Sequence, residues 1–134
     1  MMDAIGNTGD ISFENEWVDG VPAKKNNPRS LPGSYVIIPK SHVNSPFDCS
    51  AEEWAATKAM LDVIKSYLDE KYRPDGYNLG WNIGGAAGQS SPYAHLHVVP
   101  RFADEPFAGK GIMYWLKQDG NIRGSLSSAA GGLL

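Results

Sequence analysis

The stretch Tyr93-Ala94-His95-Leu96-His97-Val98 alternates in character at every step. In an extended strand successive side chains point to opposite faces. Ala94, Leu96 and Val98 therefore share one side, and Tyr93, His95 and His97 share the other. The first face is small and apolar, suited to a core. The second carries two imidazoles and a phenol, with Gly88-Gln89-Ser90-Ser91 just upstream. Plain solvent does not ask for that combination, and the strand reads as the floor of a reactive pocket.

A helix is predicted between Ser50 and Pro74. Ser50 followed by Glu53 fits a capping box, in which the serine hydroxyl accepts from the Glu53 backbone N–H and the glutamate reaches back. Trp54, Thr57, Leu61, Ile64 and Leu68 recur at spacings of three and four, with Met60 and Tyr67 widening the stripe. This stripe is read as core. Lys58, Asp62, Lys65 and Asp69 take the other side, Lys71 and Arg73 suit the negative helix end, and Pro74 stops it.

Strands are expected at Ile11–Trp17, with Ile11, Phe13 and Trp17 on one side, and at Tyr35–Ile38, which is β-branched and ended by Pro39. Another is expected at Tyr77–Ile83, with Tyr77, Leu79, Trp81 and Ile83 on one face. Asp19-Gly20 reads as a tight turn leading into a short further strand. Residues 24–33 read as a loop, and Met113–Lys117 as a short strand or helical turn. Four or five strands with one long inserted helix indicate an α+β fold on an antiparallel sheet. The expected division is a loose end over 1–10, a single domain over 11–120 and a poorly ordered tail over 121–134.

At 134 residues the chain is long enough to bury a core. A formal net charge of −3 argues against a general nucleic-acid binder, while leaving room for a small anionic ligand. No apolar run approaches a membrane span, and the first residues lack the pattern of a signal peptide. A single cysteine, Cys49, excludes an intrachain disulfide framework and a multi-cysteine zinc site. A cytoplasmic protein without a membrane or nucleic-acid partner is the expectation.

Taken together, the motifs resemble those of the histidine triad (HIT) superfamily of nucleotide hydrolases and transferases, most closely its bacterial diadenosine-polyphosphate-hydrolase-like branch. That family's signature is His-φ-His-φ-His-φ-φ, with φ apolar, preceded by Gly-Gln-Ser/Thr. Here Gly88-Gln89-Ser90 precedes it, His95 and His97 fill the second and third histidine slots, and Tyr93 stands in the first. Pro32-Gly33-Ser34-Tyr35-Val36-Ile37-Ile38-Pro39-Lys40-Ser41-His42 is similar to the family's Pro-Gly-His strand and Pro-Lys-x-His turn. Gly76–Asn82 is similar to the strand ending in a nucleotide-site Asn, and Phe13-Glu14-Asn15-Glu16 to an opening strand.

The resemblance implies a five-stranded antiparallel sheet with one long helix, paired into a homodimer, and a small-molecule nucleotide substrate. It implies attack by His95 on the α-phosphorus, giving a nucleotidyl-histidine intermediate that water hydrolyses. A neutral imidazole nitrogen is suited to this once the other nitrogen donates to a carbonyl. His97 is expected to donate to a non-bridging phosphate oxygen. Ser90, Gln89, Asn82 and His42 are the expected substrate-binding residues. Neither a cofactor nor a metal site is expected. Two departures stand out. Tyr93 is neutral and cannot act as an imidazolium, so a phosphoanhydride, whose leaving group is already a stable anion, is favoured over a phosphoramidate. Lys25 occupies the slot of a ribose-binding Asp and cannot accept a hydrogen bond. A shift of register would bring Asn26 or Asn27 to that task, or the cations Lys24, Lys25 and Arg29 would meet extra phosphates. A nucleotide-binding or sensing protein with little turnover, or a transferase or phosphoramidase of the same family, is the alternative.

Overall fold

The computed structural model describes residues 9–25 and 27–123. The chain forms two compact units, residues 1–102 and 103–134. The first contains β1 (Phe13–Glu14), β2 (Val18–Pro22), β3 (Tyr35–Pro39), helix α1 (Ala51–Tyr72), β4 (Gly76–Trp81) and β5 (Leu96–Arg101). The five strands form one sheet in the order β1-β2-β3-β5-β4, every neighbour antiparallel. The α+β class and its single long helix are as expected.

Helix α1 begins with the full capping box: Ser50 Oγ accepts from the Glu53 amide at 3.1 Å, and Glu53 Oε1 accepts from the Ser50 amide at 2.7 Å. It ends at Arg73 in the left-handed conformation, just before Pro74. Met60, Ile64 and Leu68 are buried in one cluster with Val18, Tyr35, Ile37, Leu96 and Val98 of the sheet. The core stripe differs from the expected one at its start. Trp54 is 45 % exposed and lies edge-on to Trp81, whereas Glu53 is 6 % exposed. The carboxylate accepts that place because its oxygens receive the Ser50 amide and the Ser41 hydroxyl, the latter at 2.5 Å.

The chain start also differs. Strand β1 is only two residues long, and the chain reverses at Asn15, whose Oδ1 accepts from the amides of Trp17 and Val18 at 2.9 Å each. Ile11 and Trp17 are exposed, while Phe13 packs against the core. Asp19-Gly20 is not a turn. It lies in the middle of β2, where Gly20 opposes Phe13 on one side and Ile37 on the other. A Cβ at Gly20 would come within 2.9 Å of both Ile64 Cδ1 and Met60 Sδ, so the absence of a side chain lets the helix lie close to the sheet.

Strand β4 stops at Trp81, short of the expected Ile83, and is an outer strand of the sheet, with Leu79 exposed. Asp10 is anchored: its carboxylate accepts from the Tyr72 hydroxyl at 2.8 Å and from Lys71 Nζ at 2.6 Å. The remainder of the expected loose start, residues 1–8, and of the expected tail, residues 124–134, lie outside the described residues. In the second unit Ile112–Leu116 is a short helix α2, the helical of the two forms expected there. Among the described residues, no helix is long and apolar enough to cross a membrane.

Candidate active site

The histidines are placed by the centre of the sheet. Strand β5 lies between β3 and β4, with Val36 opposite His97 and Ile37 opposite Leu96. Ala94, Leu96 and Val98 are buried, as the alternation requires, and Leu96 and Val98 pack in the cluster with α1. On the other face Tyr93, His95 and His97 line a cavity of about 420 Å³ together with Ala23, Asn27, Ser30, Val36, Ile38, Ser90 and Ser91.

His95 Nδ1 lies 2.9 Å from the carbonyl oxygen of Tyr93. A carbonyl only accepts, so Nδ1 carries the proton, and in the uncharged form of the ring the lone pair is on Nε2. The His97 ring stands 4.7 Å from the His95 ring, inclined at 61°. Burial, and secondarily the neighbouring charge of His95, holds the His97 imidazole below the ordinary histidine range. His97 therefore stays neutral at neutral pH.

The other named residues fall in different places. Ser90 is on the cavity wall. Gln89 is bound to backbone on three sides: Oε1 accepts from the Gly84 amide at 2.8 Å, and Nε2 donates to the carbonyls of Asn44 and Ser91 at 2.9 Å each. It bridges the turn after β4, the loop after β3 and the approach to His95. His42 does not line the cavity. Its ring stacks on Tyr93 at 4.0 Å and 11°, and its backbone adopts a left-handed φ of 58°. The adjoining Val43 carbonyl accepts the Ala94 amide at 2.8 Å, and Asn44 Nδ2 donates to the Pro92 carbonyl at 3.0 Å. Asn82 is exposed beside Gly88 and also lies off the cavity wall.

Lys25 does not line the cavity, and its amine donates to Ser12 Oγ at 3.2 Å. Asn27 is a lining residue, though its Oδ1 already accepts from the Arg29 amide at 3.0 Å. Asn26 lies outside the described residues. The reading from sequence missed Val36, Ile38, Ala23, Ser30 and Ser91 as lining residues. Alternation along Tyr35–Pro39, set antiparallel to the histidine strand, was the available signal for Val36 and Ile38. Among the described residues, no group of three or more His, Cys, Asp or Glu is arranged to hold a metal ion.

An imidazole whose Nδ1 is bonded to a carbonyl, a second imidazole held neutral beside it, hydroxyl groups at Ser90 and Ser91 and an apolar far wall together define a pocket for a group with a polar and an apolar end. The signature, the sheet and this pocket place the chain in a known class: residues 19–104 match the HIT domain, and the chain belongs to the HIT family. It is 37 % identical over 79 residues to a Mycobacterium tuberculosis protein named "AP-4-A phosphorylase", covering 55 % of this chain and 38 % of that one. It is 31 % identical over 71 residues to a Dictyostelium discoideum protein named "Bis(5'-adenosyl)-triphosphatase", covering 53 % of this chain and 48 % of that one. The chain thus spans less than half the length of either relative. A crystal structure of a HIT family member from Bacillus subtilis superposes with a TM-score of 0.63 at 22 % identity, over 91 % of this chain and 85 % of that one.

Proposed function

We propose that the protein is a nucleotide hydrolase cleaving a phosphoanhydride at the α-phosphorus of a (di)nucleoside polyphosphate, with His95 as nucleophile. The observation that carries the reading is the Nδ1 bond to the Tyr93 carbonyl, which leaves Nε2 as a lone-pair donor in the cavity. Nε2 bonds to the α-phosphorus as the bond to the leaving phosphate oxygen breaks. Water then cleaves the phosphorus–nitrogen bond and returns His95. Neutral His97 donates to a non-bridging oxygen, where charge develops. Tyr93 supplies a single weak proton donor, which suffices for a polyphosphate anion that departs without protonation. Ser90 is a donor to the same phosphate. Gln89 and His42 serve by shaping the wall. Asn82 serves at the nucleotide's outer end. The names of the two relatives agree with a dinucleoside polyphosphate as the substrate class.

The test is product analysis by ion-exchange chromatography of protein incubated with diadenosine tetraphosphate and with an adenosine phosphoramidate, beside His95→Ala. Cleavage of the tetraphosphate that vanishes in His95→Ala is the expected result, and equal cleavage by both proteins overturns it. A second reading, a nucleotide-binding protein with little turnover, is favoured by one observation, the stacking of Tyr93 against His42 in the slot of the first histidine. It predicts nucleotide-dependent thermal stabilisation with the nucleotide left intact. The reading extends to assembly. Outer strand β4 carries Leu79 at 44 % exposure, and a second copy pairing along β4 would cover it and make the homodimer. A monomer in size-exclusion chromatography at micromolar concentration would contradict that assembly.

A further inference from the structure

Two rings lie stacked at the margin of the cavity. The centroids of His42 and Tyr93 are 4.0 Å apart and their planes 11° from parallel. His42 holds this place with a left-handed φ of 58°, a conformation that a residue other than glycine adopts against its own preference. The chain on either side is tied down, since the Val43 carbonyl accepts the Ala94 amide at 2.8 Å and Ser91 Oγ accepts the Tyr93 amide at 3.2 Å. The imidazole covers one face of the phenol. Tyr93 is nevertheless 45 % exposed and lines the cavity, so the rest of its ring is open to a ligand. We propose that the pair is a base platform: the base of the departing nucleoside of a dinucleoside polyphosphate stacks on the open face of Tyr93, which His42 backs. The proposal rests on the reading of His95 as the nucleophile.

Strand register orders the cavity. Val36 stands opposite His97, and the carbonyl of Ser34, two residues before Val36, accepts the Ala23 amide at 2.8 Å. Ala23 and Val36 therefore lie towards the His97 end. Tyr93 lies two residues beyond His95 in the other direction. The nucleophile thus stands between an apolar wall and an aromatic ring. The α-phosphorus carries two substituents that must part, the nucleoside that stays on His95 and the polyphosphate that leaves. The nitrogen–phosphorus bond forms, the bridging phosphorus–oxygen bond breaks, and the departing phosphate keeps the electron pair. The wall of Ala23, Val36 and Ile38 suits the nucleoside that stays. The departing chain passes Tyr93, and in a dinucleoside polyphosphate that chain ends in a second base. Every base has a π-face that stacks on an aromatic side chain. A phenol offers that face a larger and uncharged ring than an imidazole does. ATP presents the same α-phosphoanhydride without a second base, so the platform selects for the dinucleotide.

Two substitutions separate stacking from proton donation. Tyr93→Leu removes the ring, and Tyr93→Phe removes only the hydroxyl. The readout is the ratio of kcat/KM for diadenosine tetraphosphate to kcat/KM for ATP. In Tyr93→Leu the ratio is expected to fall at least about fivefold, chiefly through KM for the dinucleotide. In Tyr93→Phe it is expected to stay within about twofold of wild type, even where kcat falls, because the ring remains. Equal ratios in the two variants overturn the platform. Calorimetric binding separates this from failure of the catalytic reading. In the His95→Ala background, the preference for diadenosine tetraphosphate over ATP is expected to fall at least about fivefold on Tyr93→Leu, whether or not the wild-type protein turns over either compound. An unchanged preference overturns the proposal. His42→Asn keeps a residue that tolerates the left-handed backbone and removes the backing ring. It is expected to lower the same preference at least about twofold. No change there also overturns the platform, whether or not the leucine variant folds.

Discussion

On the covered face of the sheet, Ile37, Leu96 and Val98 lie in one cluster with Met60, Ile64 and Leu68 of α1. On the other face Val36 and His97, one residue out of step along the same two strands, line an open cavity with His95, which immediately precedes β5. Backbone, register and local sequence are shared, and only the parity of the position differs. Parity decides whether a residue answers to packing density or to chemistry. A change on one face should therefore alter stability and spare the site, and a change on the other should do the reverse.

The sharpest break of that comparison pairs His95→Ala with Ile64→Ala. His95→Ala is expected to lower turnover by more than about 10³-fold, with stability within about 0.5 kcal/mol of wild type by urea unfolding. Ile64→Ala is expected to cost about 2–5 kcal/mol, with kcat within about twofold at a temperature where both proteins stay folded. Matching losses of both properties in either variant would defeat the separation by parity. Gly20→Val tests the covered face from the sheet side. Overpacking against Ile64 and Met60 is expected to cost about 1–3 kcal/mol, read in the same unfolding curves.

Ser41→Ala probes a connection that crosses between the faces. The Ser41 hydroxyl satisfies Glu53 at the start of α1, and the next residue, His42, stacks on Tyr93 at the cavity. The expected result is a loss of about 1–2 kcal/mol together with a several-fold fall in kcat. A purely thermodynamic effect would show that the loop positions nothing.

The smallest effect concerns pH. Burial depresses His97 below its unfolded value near ~6.5, so the native state binds fewer protons than the unfolded chain once pH drops below that value. His97 then contributes stability above about pH 6.5 that is lost as pH falls through its depressed native value, at up to about 1.4 kcal/mol per pH unit. In His97→Asn the slope of stability against pH between 6.5 and the acid limb should be shallower. An unchanged slope would show that His97 is not held neutral.

Much of the fold was legible because it rests on strong, repeated local signals. The capping box at Ser50 and Glu53, the β-branched run at Tyr35–Ile38 and the alternation at residues 93–98 each agree with the tertiary context. The departures arise where long-range packing overrides a local pattern. Asp19-Gly20 has the composition of a turn, yet Gly20 is used for close approach of the helix. Trp54 has helical spacing, yet the buried place beside it goes to Glu53, whose carboxylate is satisfied by Ser41 from another loop. The strand expected over Tyr77–Ile83 stops at Trp81 and lies at the edge of the sheet, and strand order is invisible in a single sequence. In the site, the parity of His95 and His97 was legible. The three backbone bonds of Gln89 were not, because they join segments up to 45 residues apart.

Strand order also has a kinetic consequence. β5 forms after β4 in the chain yet inserts between β3 and β4, which stand apart until it arrives. Pairing β3 with β5 closes a loop of more than fifty residues, the kind of non-local step that slows folding. The strand that carries His97 and directly follows His95 is thus the keystone of the sheet. A chain emerging from synthesis holds two unsatisfied strand edges until β5 appears, and turnover would report its final insertion during refolding.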